Sequence, residues 1–303
     1  MKVFVTGASG NIGSALVKEL ISSGHTVLGL TRSDAGAEKL KTMGAEVLLG
    51  ALEDSATIAQ AAANSDAVAH LAFGNGLADF AGVCAADRTA IIAMGDALVA
   101  AGGNKALIIT SGTMMTKKGM TTTEQDDYDV DDTFGAIRGA SETVALNFAA
   151  KGLRAMVMRL PPVVHGAGSL GFVQVMVQIA QQTQKTPYIG DGQNRWCAVH
   201  TLDAAKAFRL AIEKGKAGSK FHAVGEAEIL VKHIADSLGE RLELPVESMD
   251  MKEAESILGV FAQAFSADNP SSSTQTRADL GWAPTQKGLI ENIKGDALAE
   301  AGK

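Results

Sequence analysis

Thr6-Gly7-Ala8-Ser9-Gly10-Asn11-Ile12-Gly13 spaces three glycines as a dinucleotide phosphate loop requires. Gly7 permits a tight turn, Gly10 lets the backbone approach a pyrophosphate, and Gly13 allows close helix–strand packing. Ser9, Asn11 and Ile12 stand where the helix N-terminus would offer unpaired N–H groups to the anion. The second apolar run ends Leu28-Gly29-Leu30-Thr31-Arg32-Ser33, with no Asp or Glu at its tip to accept from a ribose 2′-hydroxyl. Arg32 and Ser33, a guanidinium and a hydroxyl, suit a 2′-phosphate instead and favour NADP(H) over NAD(H). The alternative is a solvated Arg32 with Asp34 serving the ribose.

Other chemistries fit poorly. The run Glu124 to Asp132 holds six carboxylates, and Asp127-x-Asp129-x-Asp131 has calcium-loop spacing. Position six would need Gly but is Asp132, and position twelve would need Glu but is Arg138, so a solvated loop at the active-site rim is expected. The six histidines show no ligand spacing, and no metal is expected. Cys84 and Cys197 build neither a disulfide framework nor a zinc ribbon, which fits a reducing, cytoplasmic setting.

These residues need a scaffold. Strands are expected at Lys2–Thr6, Thr26–Leu30, Ala45–Leu49, Ala67–Leu71, Lys105–Thr110 and Arg154–Arg159, with helices beginning near Ile12, Ala35, Ser55, Asp79 and Phe134. Such alternation specifies an α/β fold, a Rossmann-type doubly wound parallel sheet whose ligand crevice lies beyond the carboxyl ends of the strands. Beyond Gly166 the alternation lapses. A helix near Phe172–Gln182, a strand Arg195–His200, a helix Leu202–Glu213, a strand Lys220–Val224 and helices near Val231–Leu242, Met251–Ala264 and Gln286–Ala299 are expected. Asn269–Thr276 reads as a flexible polar loop.

The chain has 303 residues, 46% hydrophobic and 20% charged, ordinary values for a globular protein. Its 34 acidic against 27 basic residues disfavour nucleic acid as a partner. No apolar run is long enough for a membrane span, and the N-terminus passes from Lys2 into a strand without a signal-type apolar region.

The glycine motif, His70-Leu71-Ala72, Thr110-Ser111, Arg159-Leu-Pro-Pro-Val-Val-His-Gly166, Gly190-Asp-Gly192, the segment Arg195 to Asp203 and Leu280-Gly-Trp282-x-Pro284 together resemble the extended short-chain dehydrogenase/reductase family. That family includes NAD-dependent epimerases and dehydratases. The resemblance implies a nucleotide domain of residues 1–165 plus about 195–224, and a smaller, discontinuous C-terminal substrate domain of about 166–194 plus 225–303. It also implies cofactor contacts from Leu52, Leu71, Ala72, Phe73, Thr110, Arg138, Pro161 and Val163.

Family chemistry uses Tyr-x-x-x-Lys, yet the matching helix reads Phe134-Gly-Ala-Ile-Arg138. Phe has no exchangeable proton, and Arg, which stays protonated in proteins, is a poor proton-transfer group though a good donor. The chain thus resembles an atypical member that keeps the nucleotide site and lacks the usual acid. The candidate replacements are Ser111 or Thr113 to polarise a carbonyl, His165 as a group titrating near neutrality, and Arg138 on a ribose or substrate oxygen. Each has a structural alternative: a turn hydroxyl, a buried donor, or a partner for a nearby carboxylate. Arg195 and Trp196 are expected on the substrate side or in interdomain packing.

The leading expectation is an NADP(H)-dependent oxidoreductase of a small carbonyl, alcohol or related C=X compound, with a non-tyrosine proton supply. A non-catalytic NADP-binding regulator and a nucleotide-sugar epimerase or dehydratase are the alternatives. Relatives pair through two helices, here Asp79–Ala101 and Phe134–Lys151, so a homodimer is one reading of their apolar faces and intramolecular core is the other.

Overall fold

The computed structural model describes residues 1–74 and 79–295, apart from the side chain of Val260. Alternating strands and helices build the first half: β1 (Lys2–Thr6), α1 (Asn11–Ser22), β2 (Thr26–Thr31), α2 (Asp34–Thr42), β3 (Glu46–Leu49), α3 (Ser55–Ala63), β4 (Ala67–His70), α4 (Phe80–Ala101), β5 (Ala106–Gly112), α5 (Thr133–Leu146) and β6 (Arg154–Leu160). They are followed by β7 (Val163–His165), α6 (Val173–Thr183), β8 (Thr186–Ile189), β9 (Arg195–His200), α7 (Thr201–Lys214), β10 (Lys220–His222), β11 (Glu226–Leu230), α8 (Val231–Leu242), β12 (Val246–Met249), α9 (Met251–Leu258), α10 (Ala262–Ser266), α11 (Thr274–Leu280) and α12 (Leu289–Lys294). The main sheet runs β10-β6-β5-β4-β1-β2-β3, all parallel, and its order reverses between β1 and β4. That reversal opens the crevice in which such sheets bind ligands.

Strand alternation produces the two cores. Val3 and Val5 of β1 join Leu16, Phe208 and Ile212 on one face, while Phe4 joins Ile58, Ile91, Met94 and Leu107 on the other. Helix ends are set by side-chain caps: Ser33, Asp54, Asp79, Asp132 and Asp250 each accept from a backbone N–H three residues on. Asp132, from the acidic run, is therefore structural, and Glu124 of that run is buried rather than solvated.

Sheet membership departs from the expected boundary at residue 195. β9 leaves the nucleotide sheet and pairs with β7 and β11, whereas β10 joins the main sheet beside β6. A third core of Val173, Val177, Trp196, Ile234, Leu238 and Leu289 holds the second region together. The expected helix Met251–Ala264 breaks at Gly259 (φ +57°) into α9, a 3₁₀ turn and α10. The last helix is Leu289–Lys294; residues 296–299 of the expected span lie outside the described residues.

The polar stretch Asn269–Thr276 is corrected most. Asn269, Ser271 and Thr276 are buried, and the stretch ties the second region to the first. Thr113 Oγ1 donates to Asn269 Oδ1 at 2.7 Å, and Asn269 Nδ2 returns a bond to the Thr113 carbonyl at 3.0 Å. Thr276 donates through both its backbone N and Oγ1 to Glu124 Oε1, at 2.7 and 2.6 Å. Polarity here marks satisfied buried groups, which composition does not distinguish from a solvated loop. Beside this strap, Glu142 accepts two bonds from buried Arg159, whose Nη1 donates to His222 Nε2 at 3.3 Å while His222 Nδ1 donates to the Ser272 carbonyl at 2.9 Å.

Asn269→Ala is expected to destabilise the protein by about 3 kcal/mol, since it strips partners from buried Thr113; equilibrium urea unfolding measures it. Burial, and then the Arg159 guanidinium, push His222 down to about 3. The unfolded chain binds this proton near its ordinary value, so unfolding takes up a proton at intermediate pH. Stability is expected to be full above about 6.5 and to fall as pH drops toward 3, seen as a declining urea midpoint that His222→Gln flattens.

Candidate functional site

The loop between β1 and α1 is shaped by backbone crowding. Gly7 has φ +66°, and a Cβ there would sit 2.8 Å from the Ala72 backbone N. A Cβ on Gly13 would overlap the Gly7 carbonyl oxygen, so α1 can approach the loop only without that side chain. Unlike the helices capped by Ser or Asp, α1 begins at Gly10 with no side-chain cap and no acidic residue in its first turn. Its first-turn N–H groups, at Asn11, Ile12 and Gly13, have no intrahelical acceptors. A diphosphate is the complementary ligand, so these residues fit a dinucleotide.

Ser9 Oγ lies 3.1 Å from Thr31 Oγ1, and Lys39 Nζ donates to the Ser9 carbonyl at 2.9 Å. Ser33 accepts from Gly36 N as the cap of α2, and keeps its own hydroxyl proton. Arg32 is exposed. Among the described residues, Arg88, Arg138, Arg154, Arg159, Arg195, Arg209 and Arg277 donate to carboxylates or carbonyls, while Arg32 and Arg241 form no such bond. Leu52 follows β3 and is partly buried against the second core; Leu71 is partly buried against the first.

Next to the loop runs a continuous buried chain of hydrogen bonds. Ala72 N donates to Thr6 Oγ1 (3.1 Å), which donates to His70 Nδ1 (2.7 Å); His70 Nε2 donates to Asp87 Oδ1 (3.1 Å). The Asp87 carboxylate can only accept, so the proton in the His70–Asp87 bond sits on Nε2. Arg138 Nη1 (2.6 Å) and Ser141 Oγ (2.8 Å) both donate to Asp87 Oδ2, and Arg138 Nη2 donates to the Thr110 carbonyl. Burial works against the Asp87 charge, but His70, Arg138 and Ser141 outweigh it and hold the carboxyl below its usual range. Arg138 thus pairs with a carboxylate, the structural alternative, and its guanidinium lies 4.6 Å over the Phe73 ring. Nothing in the sequence marked Asp87: it is one of two acidic residues within an Ala-rich helix, and only the fold sets it against His70.

The hydroxyl candidates separate. Thr113 is buried and spent on Asn269, so it is not free to polarise a ligand. Ser111, at the carboxyl end of β5, is 6% exposed and its Oγ has no partner among the described residues. Thr110 donates to the His70 carbonyl at 2.9 Å. Tyr128 and Tyr188 do not replace Phe134: Tyr128 Oη lies 3.1 Å from Thr143 Oγ1, and Tyr188 sits on β8 with Lys232 over its ring.

His165 is corrected as a titrating acid. It is buried on β7, with Asn292 Nδ2 at 2.8 Å from Nδ1 and no hydrogen bond at Nε2. Burial, followed by neighbouring His200, pushes it down to about 4, so it is neutral at neutral pH. Pro161 and Val163 are buried where the chain passes from β6 to β7. Arg195 and Trp196 are corrected as ligand contacts: Trp196 is closed in against Phe172 and Phe265, and Arg195 is held by Asp268 and Glu228. Among the described residues no helix is long and apolar enough to cross a membrane, and no cluster of three metal-ligating side chains occurs.

Residues 3–225 match the model of the NAD dependent epimerase/dehydratase family. An uncharacterized protein of Saccharomyces cerevisiae is 45% identical, covering 97% of this chain and 98% of its own. A 2-alkyl-3-oxoalkanoate reductase of Stenotrophomonas maltophilia is 30% identical over 70% of this chain and 66% of its own. The crystal structure of DesIV, a dTDP-glucose 4,6-dehydratase from Streptomyces venezuelae with NAD and TYD bound, superposes with a TM-score of 0.78 at 18% identity, covering 97% of this chain and 96% of that one. The fold is therefore that of these dehydratases, and the family match over residues 3–225 places the chain in the NAD-dependent epimerase/dehydratase family.

Proposed function

We propose that this protein is an NADP(H)-dependent oxidoreductase that reduces a carbonyl, or oxidises the corresponding alcohol, in the crevice beyond β4 and β5. The observation that carries the reading is the buried Ser111 hydroxyl, without a partner among the described residues, at the carboxyl end of β5, two strands from the β1 glycine cradle. Leaving such a group unpaired costs about 1–3 kcal/mol, which a substrate oxygen would recover. The 30%-identical relative named as a reductase supports the same reaction class.

When bound, the nicotinamide supplies or accepts the hydride. The α1 N-terminus would hold the pyrophosphate, and Arg32 with Ser33 the 2′-phosphate. Ser111 would donate to the substrate oxygen and stabilise negative charge developing there. Arg138, fixed by Asp87 and Thr110, keeps unspent N–H donors for a ribose hydroxyl. With Phe134 in place of a phenol, the proton that completes the alcohol comes from water.

Calorimetric titration is expected to show NADPH binding at least about tenfold tighter than NADH, with Arg32→Ala removing the difference. Equal affinities would overturn the NADP assignment. Ser111→Ala is expected to lower kcat/KM by about 100-fold with NADPH affinity retained. Tight NADPH binding without turnover over a broad carbonyl panel would leave the non-catalytic regulator as the better reading.

A further inference from the structure

We infer that the substrate crevice binds an aryl or extended apolar ketone against a wall of four phenylalanines, and not a nucleoside diphosphate sugar. The inference deepens the function proposed above and rests on it for the position of the reacting carbonyl.

Phe73, Phe80, Phe134 and Phe261 form a run of rings with successive centroids 6.3, 5.3 and 6.1 Å apart and interplanar angles of 63°, 63° and 36°. They come from four places: the loop after β4, the start of α4, the first turn of α5, and the turn between α9 and α10. Folding brings them together, and their spacing is that of edge-to-face and tilted aromatic pairs. Unlike Phe4, Phe208 and Phe221, which are at most 1% exposed, Phe73 is 37% exposed and the other three are half-buried. The wall therefore keeps ring surface available instead of spending it on the core.

Its position ties it to the reacting centre. Phe73 follows Ala72, the residue that crowds Gly7 and donates to Thr6. Phe134 lies one helical turn before Arg138, which donates to the carbonyl of Thr110, the neighbour of Ser111. Phe261 closes the run from the second region. A carbonyl at Ser111 would have its substituent beside these rings.

Charge points the same way. A sugar diphosphate needs cations that are not already neutralised. Arg138, which covers Phe73, is paired with Asp87; Arg195 is paired with Asp268 and Glu228; Lys118 with Asp132; Lys232 with Asp236. Placing a diphosphate against phenyl rings, beside an Arg138 already paired with Asp87, is opposed by desolvation, whereas an aryl group gains contact there.

The test uses phenylpropanedione and butanedione, which share the dione and differ by phenyl for methyl, with UDP-glucose as the third probe. Each is titrated calorimetrically into the NADP⁺-loaded protein, where no hydride is available and binding is read without turnover. The phenyl compound is expected to bind at least about tenfold tighter than butanedione, UDP-glucose not at all, and Phe73→Ala and Phe261→Ala each to reduce the phenyl-to-methyl ratio. Thermal midpoints check that both variants fold. If nucleotide loading fails, the same ratio is expected on the protein alone. Equal affinities, a ratio unmoved in both folded variants, tighter UDP-glucose binding, or no binding of any probe would overturn the inference. Phenylpropanedione binding without NADPH oxidation would keep the wall and overturn the reductase reading. Turnover of both diones with equal affinity would do the reverse.

Discussion

A carboxylate buried at the carboxyl edge of the main sheet sets the terms for everything around it. Asp87 accepts from His70, Arg138 and Ser141, and those partners come from β4 and α5. A buried charge is tolerated only while its hydrogen bonds are complete, so these elements must keep their mutual positions. The same chain reaches Thr6 through His70, joining the phosphate loop to the helix that carries Phe134 and Arg138. The cradle and the crevice are thus parts of one polar network.

A second buried set does for the C-terminal region what Asp87 does for the nucleotide half. Arg159 binds Glu142 through Nε and Nη2, and its Nη1 reaches the Asp126 carbonyl and His222. Asn269 and Thr276 then seal the strap onto Thr113 and Glu124. The second region carries Phe261, so the geometry of the aromatic wall depends on this seam as well as on packing.

Phe134 and Arg138 change what the crevice asks of the rest of the chain. A phenyl ring removes a proton donor but extends an apolar surface, and a guanidinium paired with Asp87 holds position as a hydrogen-bond donor. The proposed function gives the polar work to Ser111, whose hydroxyl is unspent among the described residues while Thr113, two residues on, is consumed by Asn269.

Local signals carried much of this. Period-two alternation in β1, glycines at 7, 10 and 13 and Asp caps act over a few residues, so the parallel sheet and the phosphate loop were legible from the chain. The crevice was not. Sequence shows Ser111 and Thr113 as equivalent hydroxyls, Asn269–Thr276 as a loop, and four phenylalanines scattered between residues 73 and 261. Which hydroxyl is free and which polar residues are buried depends on contacts between distant positions, as with Thr6 and His70 or Thr113 and Asn269, and the rings of Phe80, Phe134 and Phe261 likewise meet only across the fold. Burial turns polar residues into partners and isolated rings into a surface, and burial is a property of the folded whole.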